Sequence, residues 1–420
     1  MTSAPPPFLT AIRDARWFDD RRARAYRLIL LGVTMLLAIA WVAAARHGID
    51  RAGKPLGTDF LAFWSASRLA LSGDPAAAYD LGRIYAMEKG SMPVDPGLSS
   101  FLYPPPFLLA CLPLGLAPYF VSLALWLAAT GAAWCLVVRR WLGAYRGAAI
   151  TLLAFPAVMT NIGHGQNGFL TAALLGGGLW WLDRRPVLAG LLLGALVIKP
   201  QLAFAVPVLV LASGRWRVML AGIASVGGLC AAALLAFGRA SWTGFLGGGG
   251  TARAILEQGL VEPGKLVSPF AAVQVLHGGV AAAYLAQAGF ALCAVAALAV
   301  VCRRRDAAAG GQAALCAAAT PLISPFFLDY DLTVIAIPLA WLFSEGLRRG
   351  FLPWEKAILA SAYILPLVSR DLALGIGLPI APLVLAALAG AVARAALRAP
   401  RPDAQIIAMP PLTCSVCPVT

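Results

Sequence analysis

RLILLGVTMLLAIAWVAAA, residues 27–45, contains one charge, Arg27, followed by eighteen uncharged residues. At 1.5 Å per helical residue that run approaches the roughly 30 Å hydrocarbon core of a bilayer. Its end, Ala43-Ala44-Ala45, resembles a signal-peptide cleavage site. Further apolar runs follow as far as Leu397, which favours an uncleaved first span over a removed leader. These runs are continuous rather than alternating, so they read as helices and not as a barrel.

Composition agrees. The 420 residues are 60% hydrophobic and 12% charged, about half the charge of an ordinary soluble domain, and the mean hydropathy is +0.80. The 42 Gly and 30 Pro suit packed and broken membrane helices. The expected fold is therefore an all-α polytopic membrane protein.

An excess of 33 Lys+Arg over 19 Asp+Glu could suggest a nucleic-acid partner, but its placement argues otherwise. The bases collect in seven clusters between apolar runs: Arg13 to Arg27; Arg139, Arg140 and Arg146; Arg184 and Arg185; Arg215 and Arg217; Arg303 to Arg305; Arg348, Arg349 and Lys356; Arg394, Arg398 and Arg401. They hold 22 bases and 8 acids, hence the whole net charge of +14, and the remainder of the chain is balanced. This is the positive-inside pattern. It predicts cytoplasmic clusters, both termini inside a bacterial plasma membrane, and no nucleic-acid role. Cys111, Cys135, Cys230, Cys293, Cys302 and Cys316 lie in or beside apolar runs as small packing residues, and Cys414-x-x-Cys417 has no second Cys or His pair near it.

The chain reads as a basic arm (1–25), one membrane domain (26–398) and a disordered tail (399–420). An outer loop, 46–100, carries six bases and six acids. Two interfacial helices are expected there, around Phe60–Leu71 and Tyr79–Glu88, separated by Ser72-Gly73-Asp74-Pro75. Phe101-Leu102-Tyr103-Pro104-Pro105-Pro106 forces an extended approach to a short apolar run ending at Leu116, read as a half-helix. Further spans are expected at Tyr119–Val138, Gly147–Thr160, Phe169–Leu182, Val218–Phe237, Gly279–Cys302, Gln312–Phe327, Leu332–Phe343, Leu352–Val368 and Leu374–Leu397. Pro186–Ser213 reads as a hairpin of two half-helices tipped by Lys199, with a single kinked span as the alternative. A second outer loop covers 238–278. The total is about twelve spans.

Within the first outer loop stands GTDFLAFWSASR, residues 57–68. Asp59 beside Phe60, Phe63 and Trp64 reads either as a helix N-cap or as a general base held at the membrane surface. Ionisable groups near membrane depth are costly and are candidates for function. Here they fall in four clusters at the outer ends of spans: Asp59 with Arg68; His164 with Gln166 and Asn167; Lys199 with Gln201; and Asp329-Tyr330-Asp331 after Ser324-Pro325. Such groups suit chemistry on a polar head group carried by a lipid. No Walker A, dinucleotide, G-x-S-x-G or H-E-x-x-H motif occurs.

The order of these segments resembles glycosyltransferase family 87, C-type (GT-C) membrane enzymes related to polyprenol-phosphate-mannose-dependent mannosyltransferases. The likeness rests on Gly57-Thr58-Asp59-Phe60 through Arg68, Ser72-Gly73-Asp74-Pro75, Tyr79-Asp80, Tyr103-Pro104-Pro105, Gly165-Gln166-Asn167, Pro186 to Pro200, and Ser324-Pro325 with Asp329-Tyr330. It implies a GT-C fold and inverting transfer of a mannose-like hexose from a polyprenyl phosphate to a hydroxyl of a glycolipid or glycan, on the periplasmic side. Asp59 matches the family's loop aspartate, the general base. Arg68, Tyr103, His164, Gln166, Asn167, Lys199, Gln201, Asp329 and Tyr330 would bind donor phosphate and sugar. No cofactor or metal ligand is implied; a single Asp stands in place of a D-x-D, which leaves a divalent ion open. Two competing classes use the same charges: a transporter or flippase, and a polymerase or ligase of lipid-linked glycans. The absence of an internal repeat weighs against the first. The second would place its longest outer loop late in the chain, and here it comes first.

Overall fold

The computed structural model describes residues 7–15 and 19–398. Among them the chain is predominantly helical, with no strand. The tail with Cys414 and Cys417 lies outside the described residues.

The first span starts earlier than its apolar run. The Asp19 carboxylate accepts a hydrogen bond from the Arg22 backbone N–H at 2.8 Å, capping a helix that runs Asp20–Ala44. Of its residues only Thr34 is buried, so the helix presents its apolar surface outward on nearly every side. Among the described residues six helical stretches are long and apolar enough to cross a bilayer: Asp20–Ala44, Tyr119–Leu142, Trp216–Glu257, Val280–Arg303, Asp329–Arg349 and Glu355–Ile376. The other apolar runs form shorter helices, which composition alone cannot separate from spans. Proline and glycine break them. Pro156 starts Pro156–His164 after the six-residue Ala148–Leu153, and Phe60–Leu71, Pro105–Leu116, Gly168–Trp181, Ala309–Ile323 and Ala381–Ala396 all stay under eighteen residues. The expected span beginning at Leu374 instead starts at Ala381, because Leu374 to Ile376 complete the preceding helix.

The Pro186–Ser213 segment is a hairpin. It rises as Pro186–Gly194 and a 3-10 turn, Ala195–Ile198. Pro200 bars helical backbone at Lys199, where φ is −148° and ψ 73°. The chain then returns through Pro200–Ala203 and Ala205–Ala212. Its two feet meet, since Arg215 Nε donates to Asp183 Oδ1 at 2.8 Å. The rising arm packs on Trp216–Gly247 without side chains between the backbones. A Cβ on Gly190 would stand 2.3 Å from the Val218 carbonyl oxygen, and one on Gly194 2.4 Å from that of Gly222. Gly190 and Gly194 thus form the small-x-x-x-small contact that lets helices touch.

The molecule has two chemically different ends. Contacts gather most basic clusters at one of them. Arg349 donates to the Arg398 carbonyl, Arg398 to that of Gly350, and Arg215 to Gln312 Oε1. The Ala308 N–H bonds to the Ala396 carbonyl, and Ser344 Oγ to that of Trp141. The Lys199 tip, the first outer loop and Asp329 to Asp331 lie at the other.

Two expectations about the first outer loop are revised. Its helices, Phe60–Leu71 and Leu81–Ser91, are present with a 3-10 turn at Pro75–Tyr79 between them. But Phe60–Leu71 is no interfacial helix: all of it is buried except Arg68, Ala70 and Leu71. Phe60, Phe63 and Trp64 therefore anchor the loop in protein rather than in lipid. Phe63 packs edge-on against Tyr103 at 5.3 Å and Phe107 at 4.9 Å, in a cluster that takes in Phe60, Phe101 and Trp126.

Candidate active site

Asp59 occupies the N-cap position of Phe60–Leu71 but does not cap it. Its own φ and ψ, −80° and −21°, are helical, and its side chain makes no capping hydrogen bond. The carboxylate turns instead to the helix end at Pro156–His164. Gly165 makes this approach possible. It closes that helix with φ +65°, and a Cβ there would lie 2.7 Å from Phe60 Cβ. The Asp59 N–H consequently bonds to the His164 carbonyl at 3.0 Å.

Three side chains then converge on the carboxylate. Gln166 Nε2 donates to Oδ2 at 3.0 Å, Thr58 Oγ1 donates to Oδ1 at 3.1 Å, and His164 Nδ1 lies 3.6 Å from Oδ1. The Gln166 amide has one way to face, because its Oε1 accepts from the Tyr103 hydroxyl at 3.1 Å and from the Asn167 N–H at 3.0 Å. The side chain of Asp59 is 36% exposed and that of His164 20%. Burial pushes the Asp59 pKa up, but His164, Gln166 and Thr58 outweigh it and hold the acid below the ordinary carboxylate value. Burial would lower His164, yet Asp59, with Asp329 further off, raises it above 6.5. The result is a partly open, ionised carboxylate beside a readily protonated imidazole.

Lys199 sits deeper. Its ammonium donates to Asp331 Oδ1 at 2.6 Å and to Asn167 Oδ1 at 3.3 Å, and lies 4.8 Å from the centre of the Tyr330 ring. Lys199 is 2% exposed and Asp331 fully buried. The anion that meets this cation is supplied by the protein, so burial of the charge does not require a ligand's phosphate. Tyr330 joins the two pairs, since its ring also packs edge-on against His164 at 5.7 Å. Asp329 is buried and accepts the Tyr330 N–H at 2.8 Å; the charges of His164, Arg370 and Lys265 act on it from a distance, Arg370 being itself paired with Glu262.

Of the residues named from sequence, Asp59, Tyr103, His164, Gln166, Asn167, Lys199, Asp329 and Tyr330 are brought together. Gln201 is half-buried next to the hairpin tip. Arg68 is not brought in. It is exposed two and a half turns along the helix, donating to the Gly115 carbonyl at 3.3 Å and lying over the Trp64 ring. Asp331 was named in its cluster but not as a ligand, and Thr58, Lys265, Arg370 and Asn161 were not singled out. Arg370-Asp371, in the short gap between the expected spans Leu352–Val368 and Leu374–Leu397, was a readable signal; Lys265, one of several charges in the second outer loop, left none. Asn161 is fully buried, and among the described residues neither atom of its amide, nor Nδ2 of Asn167, has a hydrogen-bond partner. Among the described residues no three His, Cys, Asp or Glu side chains stand close enough to hold a metal ion.

Residues 101–325, more than half of the chain, match the model of glycosyltransferase family 87. The chain belongs to glycosyltransferase family 87. It is thus a membrane-type glycosyltransferase, with a sugar donor and a glycan acceptor as its substrates. No curated protein and no solved structure matches it. The family match spans Tyr103, His164, Gln166, Asn167, Lys199 and Gln201. It begins after Asp59 and stops before Asp329, so in this family 87 member the fold carries both acids to the matched core from outside it.

Proposed function

We propose that the enzyme transfers a mannose-like hexose, with inversion, from a polyprenyl phosphate to an acceptor hydroxyl, with Asp59 as general base. One observation carries this reading: a carboxylate at a helix start that leaves the helix uncapped and is held, partly open, by Gln166 and His164. In the reaction the acceptor oxygen attacks the anomeric carbon while its proton passes to Asp59. The bond from that carbon to the phosphate oxygen breaks, and the lipid phosphate leaves. Its negative charge would be met by protonated His164. The unpartnered Asn161 amide and Asn167 Nδ2 suit sugar hydroxyls.

The gathering of basic clusters at the opposite end supports a cytoplasmic position for that end and a periplasmic one for the site. Both parts can be tested in sealed vesicles of either orientation, supplied with a panel of polyprenyl-phosphate sugars and a membrane-impermeant acceptor. Release of lipid phosphate coupled to acceptor glycosylation is expected in right-side-out vesicles only. Solute movement without transfer would replace the enzyme reading with that of a transporter, and elongation of a lipid-linked chain would replace it with a polymerase.

A further inference from the structure

The basic end contains a second candidate ligand site, unconnected with Asp59. A cavity of about 690 Å³ opens where Tyr119–Leu142, Gly168–Trp181, Ala309–Ile323 and Ala336–Arg349 come together. Its wall carries three indoles, Trp141, Trp180 and Trp341, beside Leu142, Leu179 and Leu182, with Trp141 and Trp180 edge-to-face at 5.3 Å. Its rim carries Arg140, Arg184 and Arg348. Gly310 keeps the wall open at Trp341, because a Cβ there would stand 2.8 Å from the indole nitrogen.

The charge balance of the rim points to the occupant. Arg348 is neutralised by Glu345, and the one acid on the rim, Asp183, is engaged by Arg215. Arg184 lies instead over the wall's Trp180 ring at 5.4 Å, and Arg140 over Trp181, which flanks the cavity without lining it, at 5.6 Å. Among the described residues neither meets a carboxylate. Two guanidiniums preset on indoles above an apolar wall complement an anion that continues into hydrocarbon. A free phosphate would leave the indole wall unused, and a neutral lipid would leave the guanidiniums unpaired. The volume falls within the range of specific small-ligand sites. We infer that this cavity binds the headgroup and upper chains of an anionic phospholipid from the leaflet on the basic side of the membrane.

The full chain, purified in detergent after reconstitution with phosphatidylcholine and phosphatidylglycerol at nine to one, should retain phosphatidylglycerol far above its bulk share when bound lipids are weighed by mass spectrometry. Arg140→Gln/Arg184→Gln is expected to lower that retention roughly thirtyfold, the effect of two basic contacts to an anionic lipid. Arg217→Gln/Arg305→Gln removes two exposed bases that do not line the cavity and should leave retention unchanged. Equal loss in both variants would show only a diffuse positive surface and overturn the site. So would displacement of the lipid by 10 mM inorganic phosphate, which would mark a soluble phosphate site. Wild-type protein tests the inference without any variant: no preference for phosphatidylglycerol over phosphatidylcholine would refute it.

Discussion

Two acid–base pairs stand side by side at the loop end and are built for different work. In Lys199–Asp331 the charges are 2.6 Å apart and sealed, 2% and 0% exposed. In Asp59–His164 they are 3.6 Å apart, with 36% and 20% of each side chain open. A sealed pair satisfies itself and fixes geometry, because removing either partner strands a buried charge. An open pair can change protonation and touch a ligand at little structural cost. On the proposed reading the Lys199 pair holds the hairpin tip against Asp329 to Asp331, and the Asp59 pair does the chemistry. Intramembrane charge alone therefore does not mark a reacting group.

The sharpest way to break this division is Asp59→Asn. Asparagine keeps the size and can still accept from Gln166, but it cannot take a proton. Transfer should fall by about 10²–10⁴-fold, while expression and donor binding stay near wild type. Surviving transfer would move the base elsewhere and dissolve the contrast.

Lys199→Met tests the other pair. It leaves Asp331 buried without its cation, and about 3–5 kcal/mol of stability should be lost in thermal unfolding. Lys199→Met/Asp331→Asn should recover most of it, because the second change removes the stranded charge while keeping an acceptor for the Leu328 N–H. A stable Lys199→Met that merely binds donor weakly would return the lysine to the ligand and erase the distinction.

His164→Gln sharpens the comparison through pH. Asp59 is held low and His164 high, so their attraction contributes fully above the ordinary Asp value of 3.8 and below the ordinary His value of 6.5. It is lost as pH falls through the folded pKa of Asp59 or rises through that of His164. In the variant the acid limb of kcat/KM should therefore move to higher pH, and the limb set by the imidazole should disappear. At neutral pH the rate should fall roughly 10- to 100-fold from displacement of the carboxylate. An unshifted acid limb would uncouple the two groups.

Tyr103→Phe should have the smallest effect. It removes one of the two bonds that orient the Gln166 amide, at a cost of about 0.5–1.5 kcal/mol. Transfer should drop only severalfold, with the pH profile unchanged. A loss as large as that of Asp59→Asn would give the tyrosine a direct part in the reaction.

Much of the architecture was legible because it is written locally. An apolar run long enough to cross a bilayer declares itself by composition, as 27–45 and 119–142 do. Pro200 and the bases flanking 186–213 announced the hairpin, and Gly165 and Pro104 announced the breaks that frame the site. Where runs are cut by proline and glycine, as at 148–164, hydropathy could not say how many helices cross. The burial of Phe60 and Phe63 was also hidden, since an aromatic helix facing lipid and one facing protein share a composition.

Sequence by itself determined the class of the protein, the clustering of its charge and the set of polar groups near one membrane face. Only the tertiary structure decided which of those groups meet. Asp59 finds Gln166 across 107 positions and Lys199 finds Asp331 across 132. Hydropathy is a property of neighbours along the chain, whereas charge pairing depends on which helix ends share a space. The same buried lysine would bind a ligand's phosphate if Asp331 pointed elsewhere, and no count of residues distinguishes the two.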